Sequence, residues 1–229
     1  MTENQELFTL DKNIWTQNDF EQMGWHDCRI YKIFVSKDLE LDIDYIFRWN
    51  EPELEGMPFT FWIAPATLVF KAIKNLTIEP DITFADAIEI QDIERKQIND
   101  EILWTINTHQ GGFQFVSNEY EQFIRQQPSF QFGQTISFLE RNGLSLERTT
   151  NQENHNRDRE DILQQRKKNL EEYELSKKRH LKRKEKEQLE IAREDNKIDT
   201  KAYLLKKKEI KEVLNHYDTL LKDTQFENW

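Results

Sequence analysis

The uneven distribution of aromatic and charged residues along this 229-residue chain is the feature that most constrains its fold. Of the 15 Phe and 6 Trp residues, all but Phe226 and Trp229 precede residue 150. Residues 158–195 contain no Gly or Pro and are rich in Glu, Lys, Arg, Gln and Leu, a composition that favours helix. Residues 1–149 can therefore bury a core of their own, whereas residues 158–229 have too few apolar residues to do so alone.

The predicted fold class is α+β, with an antiparallel β-rich head of about eight strands and a C-terminal hairpin of long helices. The strongest local signal lies at residues 39–47, where large apolar residues alternate with Glu40, Asp42 and Asp44. This period of two is typical of a half-buried strand, and residues 29–35 complete a predicted hairpin. Further strands are predicted at 59–63, 67–73, 87–93, 102–108, 113–117 and 120–125, with a turn at 111–112 and short helices at 16–24 and 134–141.

The predicted domains are the head (1–149), a polar hinge (150–157) and a charged arm (158–229) with helices at about 158–195 and about 200–222. Asp199 or Thr200 is expected to cap the second helix. Because one heptad register places Lys177 and Lys184 at core positions, a helical hairpin is favoured over a long two-stranded coiled coil. The expected apolar contacts of the arm place Leu204 and Leu205 near Ile191, Leu214 near Leu181 and Leu221 near Leu175, with Tyr217 on the same stripe.

The charge is divided as unevenly as the aromatic residues. Residues 1–149 carry 12 Lys/Arg against 25 Asp/Glu, a net charge of −13, whereas residues 150–229 carry 20 against 18, a net charge of +2. Such an acidic head argues against a nucleic acid or an anionic membrane as partner and favours a basic protein. The expected partner-binding face consists of Asp42, Asp44, Glu51, Glu53 and Glu55.

A cytoplasmic location is the expectation from two features of the sequence. Cys28 is the only cysteine, so the chain cannot form an internal disulfide, which suits a reducing compartment. No apolar run reaches the length of a membrane span, and the acidic, polar start does not resemble a signal peptide.

His26 and Asp27 form a candidate polar site in the sequence Trp25-His26-Asp27-Cys28. If an adjacent strand brought them to Asp42 and Asp44, the group could bind a metal ion or act as acid and base. The alternative is a solvated sheet face with no chemistry. Because no nucleophile, phosphate-binding or dinucleotide-binding motif is present, no catalytic residue, metal or cofactor is expected. Trp25, Trp49 and Trp104 are expected in the core.

Several segments resemble a poorly characterised family of small bacterial β-rich proteins, which are similar to toxin-immunity proteins. The resemblance covers roughly residues 13–147 and none of the arm. It is carried by Ile14-Trp15-Thr16, residues 20–28, residues 41–49, residues 65–70, Arg125, Pro128, Gln134 and Glu140-Arg141-Asn142-Gly143. It implies an immunity or inhibitor protein but no established active site.

The leading functional hypothesis is therefore a non-enzymatic protein-binding protein, of the immunity or inhibitor type, that neutralises a basic toxin or nuclease. One alternative is an assembly adaptor that forms homo-oligomers or docks onto a larger complex through its helical arm. The other is a metal-dependent hydrolase that uses His26, Asp27, Asp42 and Asp44.

Overall fold

A computed structural model describes residues 8–80, 87–152 and 159–229. Residues 153–157 of the predicted hinge therefore lie outside the described residues. The chain divides into two compact units. We call Met1–Glu51 with Phe59–Arg157 the β unit, and Pro52–Pro58 with Asp158–Trp229 the helical unit. The short segment 52–58 between two strands thus belongs with the helices, which the sequence did not indicate.

The β unit is a large antiparallel sheet, which together with the two helices confirms the predicted fold class. Within the described residues it has ten strands rather than about eight, in the order β1-β9-β4-β3-β2-β6-β7-β8-β5, with β10 also paired to β4. The strands are β1 (Ile14–Thr16), β2 (Arg29–Val35), β3 (Leu39–Asn50), β4 (Thr60–Phe70), β5 (Lys74–Pro80), β6 (Ile88–Ile98), β7 (Glu101–Thr108), β8 (Gly111–Val116), β9 (Tyr120–Ile124) and β10 (Ser129–Gln131). The short strands β1 and β10, and strand β5, were not predicted.

An aromatic cluster lies at the centre of this unit. Trp104 is fully buried, and its ring centroid lies 5.0 Å from that of Phe70 and 5.5 Å from that of Tyr120. Trp25 is also buried and packs 5.9 Å from Tyr120. The prediction that Trp25 and Trp104 belong to the core is confirmed, and their tilted and edge-on contacts are those that aromatic rings prefer.

Strand β4 runs without interruption through Pro65, where the sequence predicted two separate strands. The carbonyl oxygen of Pro65 accepts a hydrogen bond from the backbone N–H of Arg125, so the proline nitrogen faces the same neighbour. On that side β9 pairs with Ala66–Phe70 and β10 pairs with Phe61–Ile63. The missing N–H of Pro65 therefore lies where one partner strand ends and the next has not begun, so no sheet hydrogen bond is lost.

Two other local predictions are wrong. Residues 134–141 form turns rather than a helix, because the backbone and side chains of this segment bind Asp42 and Asp44, as described below. Gly111 and Gly112 lie inside β8 rather than in the turn, which His109 and Gln110 make. The predicted helix at 16–24 is a 3-10 helix over Gln17–Gln22.

The helical unit contains α1 (Arg159–Glu194) and α2 (Thr200–Leu221), close to the predicted bounds. Asp199 caps α2, since its carboxylate accepts hydrogen bonds from the backbone N–H groups of Lys201 and Ala202. The predicted apolar pairing at the hairpin end is wrong. Side chains of three predicted contact residues are more than half exposed, namely Ile191, Leu204 and Leu205. They lie on the sides of α1 and α2 that turn away from the buried Leu189 and Ile210.

The buried seam of the helical unit is built around a charged side chain. Arg179 is 1% exposed, and its guanidinium donates to the carbonyl oxygens of Phe226 (2.6 Å) and Trp229 (2.9 Å) and to Asp218 (3.1 Å). Tyr173 packs against the rings of the same two aromatic residues. The turns after α2 are therefore held onto α1 by charge-assisted hydrogen bonds and aromatic packing.

The segment Pro52–Pro58 contacts α1 within the helical unit. Lys177 forms an ion pair with Glu53 (3.0 Å), and His180 Nε2 donates to the carbonyl oxygen of Glu55 (2.8 Å). Gly56 has a positive φ of +89°, and a Cβ there would come within 3.2 Å of the His180 ring. Both the backbone conformation and the close approach require glycine.

Candidate functional site

Asp42 and Asp44 do not form an exposed acidic face; both are fully buried. The carboxylate of Asp42 accepts hydrogen bonds from Arg125 (2.6 Å) and from two nitrogens of Arg141 (2.7 and 3.1 Å). Asp44 accepts from Arg141 Nε (3.2 Å) and from the hydroxyl of Tyr31 (2.7 Å). The prediction that these two aspartates bind a partner is therefore wrong, because two arginines cover the face of β3 that was expected to meet solvent.

This ion cluster fixes the irregular segment 136–147 onto the sheet. The backbone N–H groups of Ile136 and Ser145 donate to Asp44 and Asp42, at 2.8 and 2.9 Å. Arg125 donates to the carbonyl oxygen of Ser145, and Thr67 donates to that of Glu147. Since this segment has no strand pairing, side-chain to backbone bonds take the place of a sheet ladder.

Burial has the largest effect on the pKa values of Asp44 and Tyr31. Burial raises the pKa of Asp44, and this outweighs the opposing effects of Arg141, Ile136 and Tyr31. Burial also raises the pKa of the Tyr31 hydroxyl, with Asp44 adding to the effect. The guanidinium of Arg141 also lies 3.7 Å from the centre of the Tyr31 ring. Among the described residues, the Nε of Arg125 is buried without a hydrogen-bond partner, but both carboxylates and both guanidinium groups of the cluster are paired with each other, as is typical of a structural ion cluster.

His26 and Asp27, the candidate polar site, lie close to each other at the surface. His26 Nε2 is 3.5 Å from the Asp27 carboxylate, and its Nδ1 hydrogen-bonds to the carbonyl oxygen of Gln91 (2.9 Å). Asp27 accepts a hydrogen bond from Gln134 (2.7 Å) and has a positive φ of 61°. Because Asp42 and Asp44 are paired with Arg125 and Arg141, they do not join His26 and Asp27 in the single polar site that the sequence suggested.

Metal-binding geometry is also missing from the part of the chain that the structure describes. In residues 8–80, 87–152 and 159–229, no group of three or more His, Cys, Asp and Glu side chains is arranged to hold a metal ion.

His26 belongs to an exposed aromatic patch. The patch consists of His26, Trp49 and Phe59. The His26 ring stacks on Trp49 at 6.2 Å and 25°, and Trp49 packs edge-on against Phe59 at 6.0 Å. Trp49 is 40% and Phe59 44% exposed, although Trp49 was predicted to lie in the core. On the neighbouring strand, the buried Phe61 is paired with Trp49, and their ring centroids lie 5.1 Å apart.

A β-bulge explains why Trp49 is exposed. Ile46 pairs with Ile63, but the next paired residue of β3 is Arg48, opposite Trp62, so Phe47 is the extra residue. Up to Tyr45 the odd-numbered residues of β3 face the core, and the bulge turns Trp49 to the opposite face. Strict alternation would place residue 49 on the core face, which is why the sequence predicts a buried tryptophan at this position.

The remaining predicted site residues are divided between the two units. Glu51 is exposed and ends the first segment of the β unit, two residues after Trp49. Glu53 and Glu55 are exposed in the helical unit, where they pair with Lys177 and Lys184. Of the predicted arm contacts, Leu221 is fully buried, whereas Leu214 and Tyr217 are half-buried.

Cys28 is fully buried beneath β3, and burial raises its pKa from 9.0 to about 12. The folded thiol therefore stays protonated where the unfolded thiol ionises, so this group's contribution to stability is present below about pH 9 and is lost as the pH rises towards about 12. We expect iodoacetamide to leave Cys28 of the folded protein almost unmodified at about pH 8 and to alkylate it readily in concentrated urea. Mass spectrometry measures both rates; rapid alkylation without urea would contradict the burial of this thiol.

Comparisons with known proteins give no relative for this chain: no family model, no curated protein and no solved structure matches it. Among the described residues, none of the helices has the length and apolar character needed to cross a membrane.

Proposed function

We propose that this protein is a non-enzymatic protein-binding protein of the immunity or inhibitor type, which binds a basic protein through the aromatic patch of His26, Trp49 and Phe59. The observation that carries the proposal is the exposure of Trp49 and Phe59 side by side at one end of the sheet. Tryptophan dominates the binding energy of many protein interfaces because it buries a large area at low conformational cost.

The patch is a preorganised surface rather than a loose set of side chains. Trp49 packs against Phe61 on the neighbouring strand and against His26, whose ring is oriented by its hydrogen bond to Gln91. A partner that covers these rings therefore orders few side chains on binding, which reduces the entropic cost of association. Asp27 places a carboxylate beside the His26 ring, and the exposed Glu51 follows Trp49 by two residues. Negative charge combined with aromatic rings suits an arginine or lysine side chain.

The charge of the chain supports a basic partner. The buried cluster of two aspartates and two arginines is neutral in sum, so the net charge of −13 of residues 1–149 belongs to the other residues. A field of this sign accelerates association with a basic protein, and the acceleration falls as salt rises.

Phe59→Ala is the test of this proposal. Wild-type protein and the variant, each immobilised, are used to capture partners from a lysate of the source organism, and captured proteins are identified by mass spectrometry. We expect the wild type to capture a basic protein that Phe59→Ala captures at least about tenfold more weakly, as measured with the purified partner. Binding should also weaken as the salt concentration rises.

Phe34→Ala is the matched control, since Phe34 is 48% exposed against 44% for Phe59 but lies at the far end of β2. It should leave the affinity unchanged. Equal losses in the two variants, or a partner that is indifferent to both, would show that the aromatic patch is not the binding surface.

Assembly through the helical unit is the second candidate function. It is favoured by the large apolar side chains that remain exposed on α1 and α2, which include Leu181, Ile191, Leu204 and Leu205. The full-length chain is the proper sample, because the helical unit includes Pro52–Pro58 and cannot be removed by cutting at residue 149. Light scattering that gives a multimer for the wild type and a monomer for Leu204→Gln/Leu205→Gln would support assembly; a monomer in both cases would exclude it.

A further inference from the structure

The β unit has a second surface feature, a cleft on the exposed face of strands β5 to β8, which is separate from the aromatic patch. Strands β6, β7, β8 and β5 lie side by side, and their registers align two rows of outward-facing residues. One row runs Glu79, Gly112, Asn107, Asp92, and the next runs Thr77, Gln114, Thr105, Glu94. Between β5, β8 and β7 these rows enclose a cleft of about 310 Å³.

Gly112 creates the floor of the cleft. A Cβ at this position would come within 3.2 Å of the carbonyl oxygen of Ile106, so the close approach of β8 to β7 leaves little room for a side chain here. As a result no side chain stands between Glu79 and Asn107, which occupy the same row on either side of it. The opening is thus a consequence of strand packing and does not depend on a side-chain rotation.

The walls of the cleft carry polar side chains that have no hydrogen-bond or ion-pair partner among the described residues. They are Thr77, Glu79, Thr105, Asn107 and Gln114. Within the part of the chain that the structure describes, none of these five side chains forms a hydrogen bond or an ion pair. By contrast, Lys74 on the same edge strand pairs with Glu101 at 2.5 Å. One carboxylate, two amides and two hydroxyls therefore offer oxygen acceptors to a ligand.

The negative charge in and beside the cleft favours a positively charged ligand. Among the described residues, Glu79 is the only charged one in the lining of the cleft, and the adjacent strand β6 adds the exposed carboxylates of Asp92 and Glu94 to the same face. A ligand with several N–H donors and a positive charge matches a set of acceptors around one carboxylate. The guanidinium group of arginine has five such donors in a planar fork, and none of its nitrogens is an acceptor.

The geometry points to a guanidinium-binding cleft over Gly112, in which Glu79 pairs with an arginine side chain while Asn107 and Gln114 accept its remaining N–H groups. This inference deepens the proposed function, on which it rests for the source of the arginine: a basic partner protein. The cleft and the aromatic patch are then two contact points for the same class of partner.

A titration of the full-length chain with N-acetyl-arginine methylamide tests the cleft without any partner. In ¹H–¹⁵N NMR spectra, we expect the backbone amide of Gly112 and the side-chain amides of Asn107 and Gln114 to shift, with a dissociation constant on the order of millimolar. Glu79→Gln should raise that constant by roughly tenfold, because it removes the charged acceptor. The citrulline analogue, which has nearly the same shape without the charge, should cause no comparable shifts.

Glu212→Gln changes the net charge equally on the exposed face of α2 and should leave the titration unchanged. The inference is overturned if citrulline shifts the same resonances, if Glu79→Gln binds as well as the wild type, or if the shifts map to Trp49 and His26 instead. Because no partner protein takes part in the titration, its outcome is independent of the Phe59→Ala experiment. A failure of the cleft inference can therefore be distinguished from a failure of the proposed function.

Discussion

Replacing Asp42 by asparagine is expected to lower the free energy of unfolding of the β unit by about 3–5 kcal/mol. The substitution leaves Arg125 and Arg141 buried with one carboxylate fewer between them, and both guanidinium groups are fully enclosed. It also weakens the attachment of segment 136–147, because the Ser145 N–H and Arg141 both bind this carboxylate. Urea unfolding followed by tryptophan fluorescence measures the change.

Asp44→Asn is the informative comparison for this cluster. Because burial raises the pKa of Asp44, the folded protein stabilises this carboxylate less well than water does. An asparagine oxygen can still accept from Tyr31 and from the Ile136 N–H, so the expected loss is smaller than for Asp42→Asn. The exposed Asp100→Asn should change stability by less than about 0.5 kcal/mol. If Asp42→Asn were as mild as Asp100→Asn, the ion cluster would not hold this part of the fold.

Replacing Arg179 by methionine is expected to destabilise the helical unit by about 2–4 kcal/mol. Methionine fills much of the volume but leaves the carbonyl oxygens of Phe226 and Trp229 without their buried donor. Hydrogen exchange at residues 222–229 should accelerate first, because these turns depend on Arg179 for their attachment to α1. Helical circular dichroism during thermal unfolding reports the loss of stability of the unit.

Arg183→Met provides the matched control one helical turn further along α1. Arg183 also donates to the Trp229 carbonyl oxygen (3.0 Å) and lies near Asp218, but its side chain is 43% exposed against 1% for Arg179. An exposed pair of this kind contributes at most about 1 kcal/mol. Similar losses for the two variants would indicate that packing alone, rather than buried hydrogen bonding, fastens the end of the chain.

Features encoded by neighbouring residues could be predicted from the sequence. The hairpin of β2 and β3 follows from alternation and a short turn, and its strand starts agree with the structure. Both helices follow from composition, and Asp199 caps the second because its side chain reaches N–H groups only two and three residues away. In each case the physical cause lies within one helical turn or one strand.

Features that depend on distant residues could not be predicted. Asp42 and Asp44 have the alternation of a solvated face, and their burial depends on Arg125 and Arg141, which lie 83 and 99 residues after Asp42. The exposure of Trp49 depends on a bulge whose position is set by the partner strand. The cleft over Gly112 requires the register of three strands, which single-strand patterns do not contain. Local sequence patterns therefore predict little of the candidate site beyond His26, Asp27 and Glu51.

Pro65 has a consequence for how the chain avoids misfolding. If β4 slid along its neighbours by two residues, the apolar faces would still match, so hydrophobicity alone gives little protection against this error. The slide would, however, move the proline opposite a residue of β9 or β10 that requires a donor, and one buried carbonyl would lose its bond. A single imino acid in an interior strand thus penalises mispaired intermediates without removing a hydrogen bond from the native sheet.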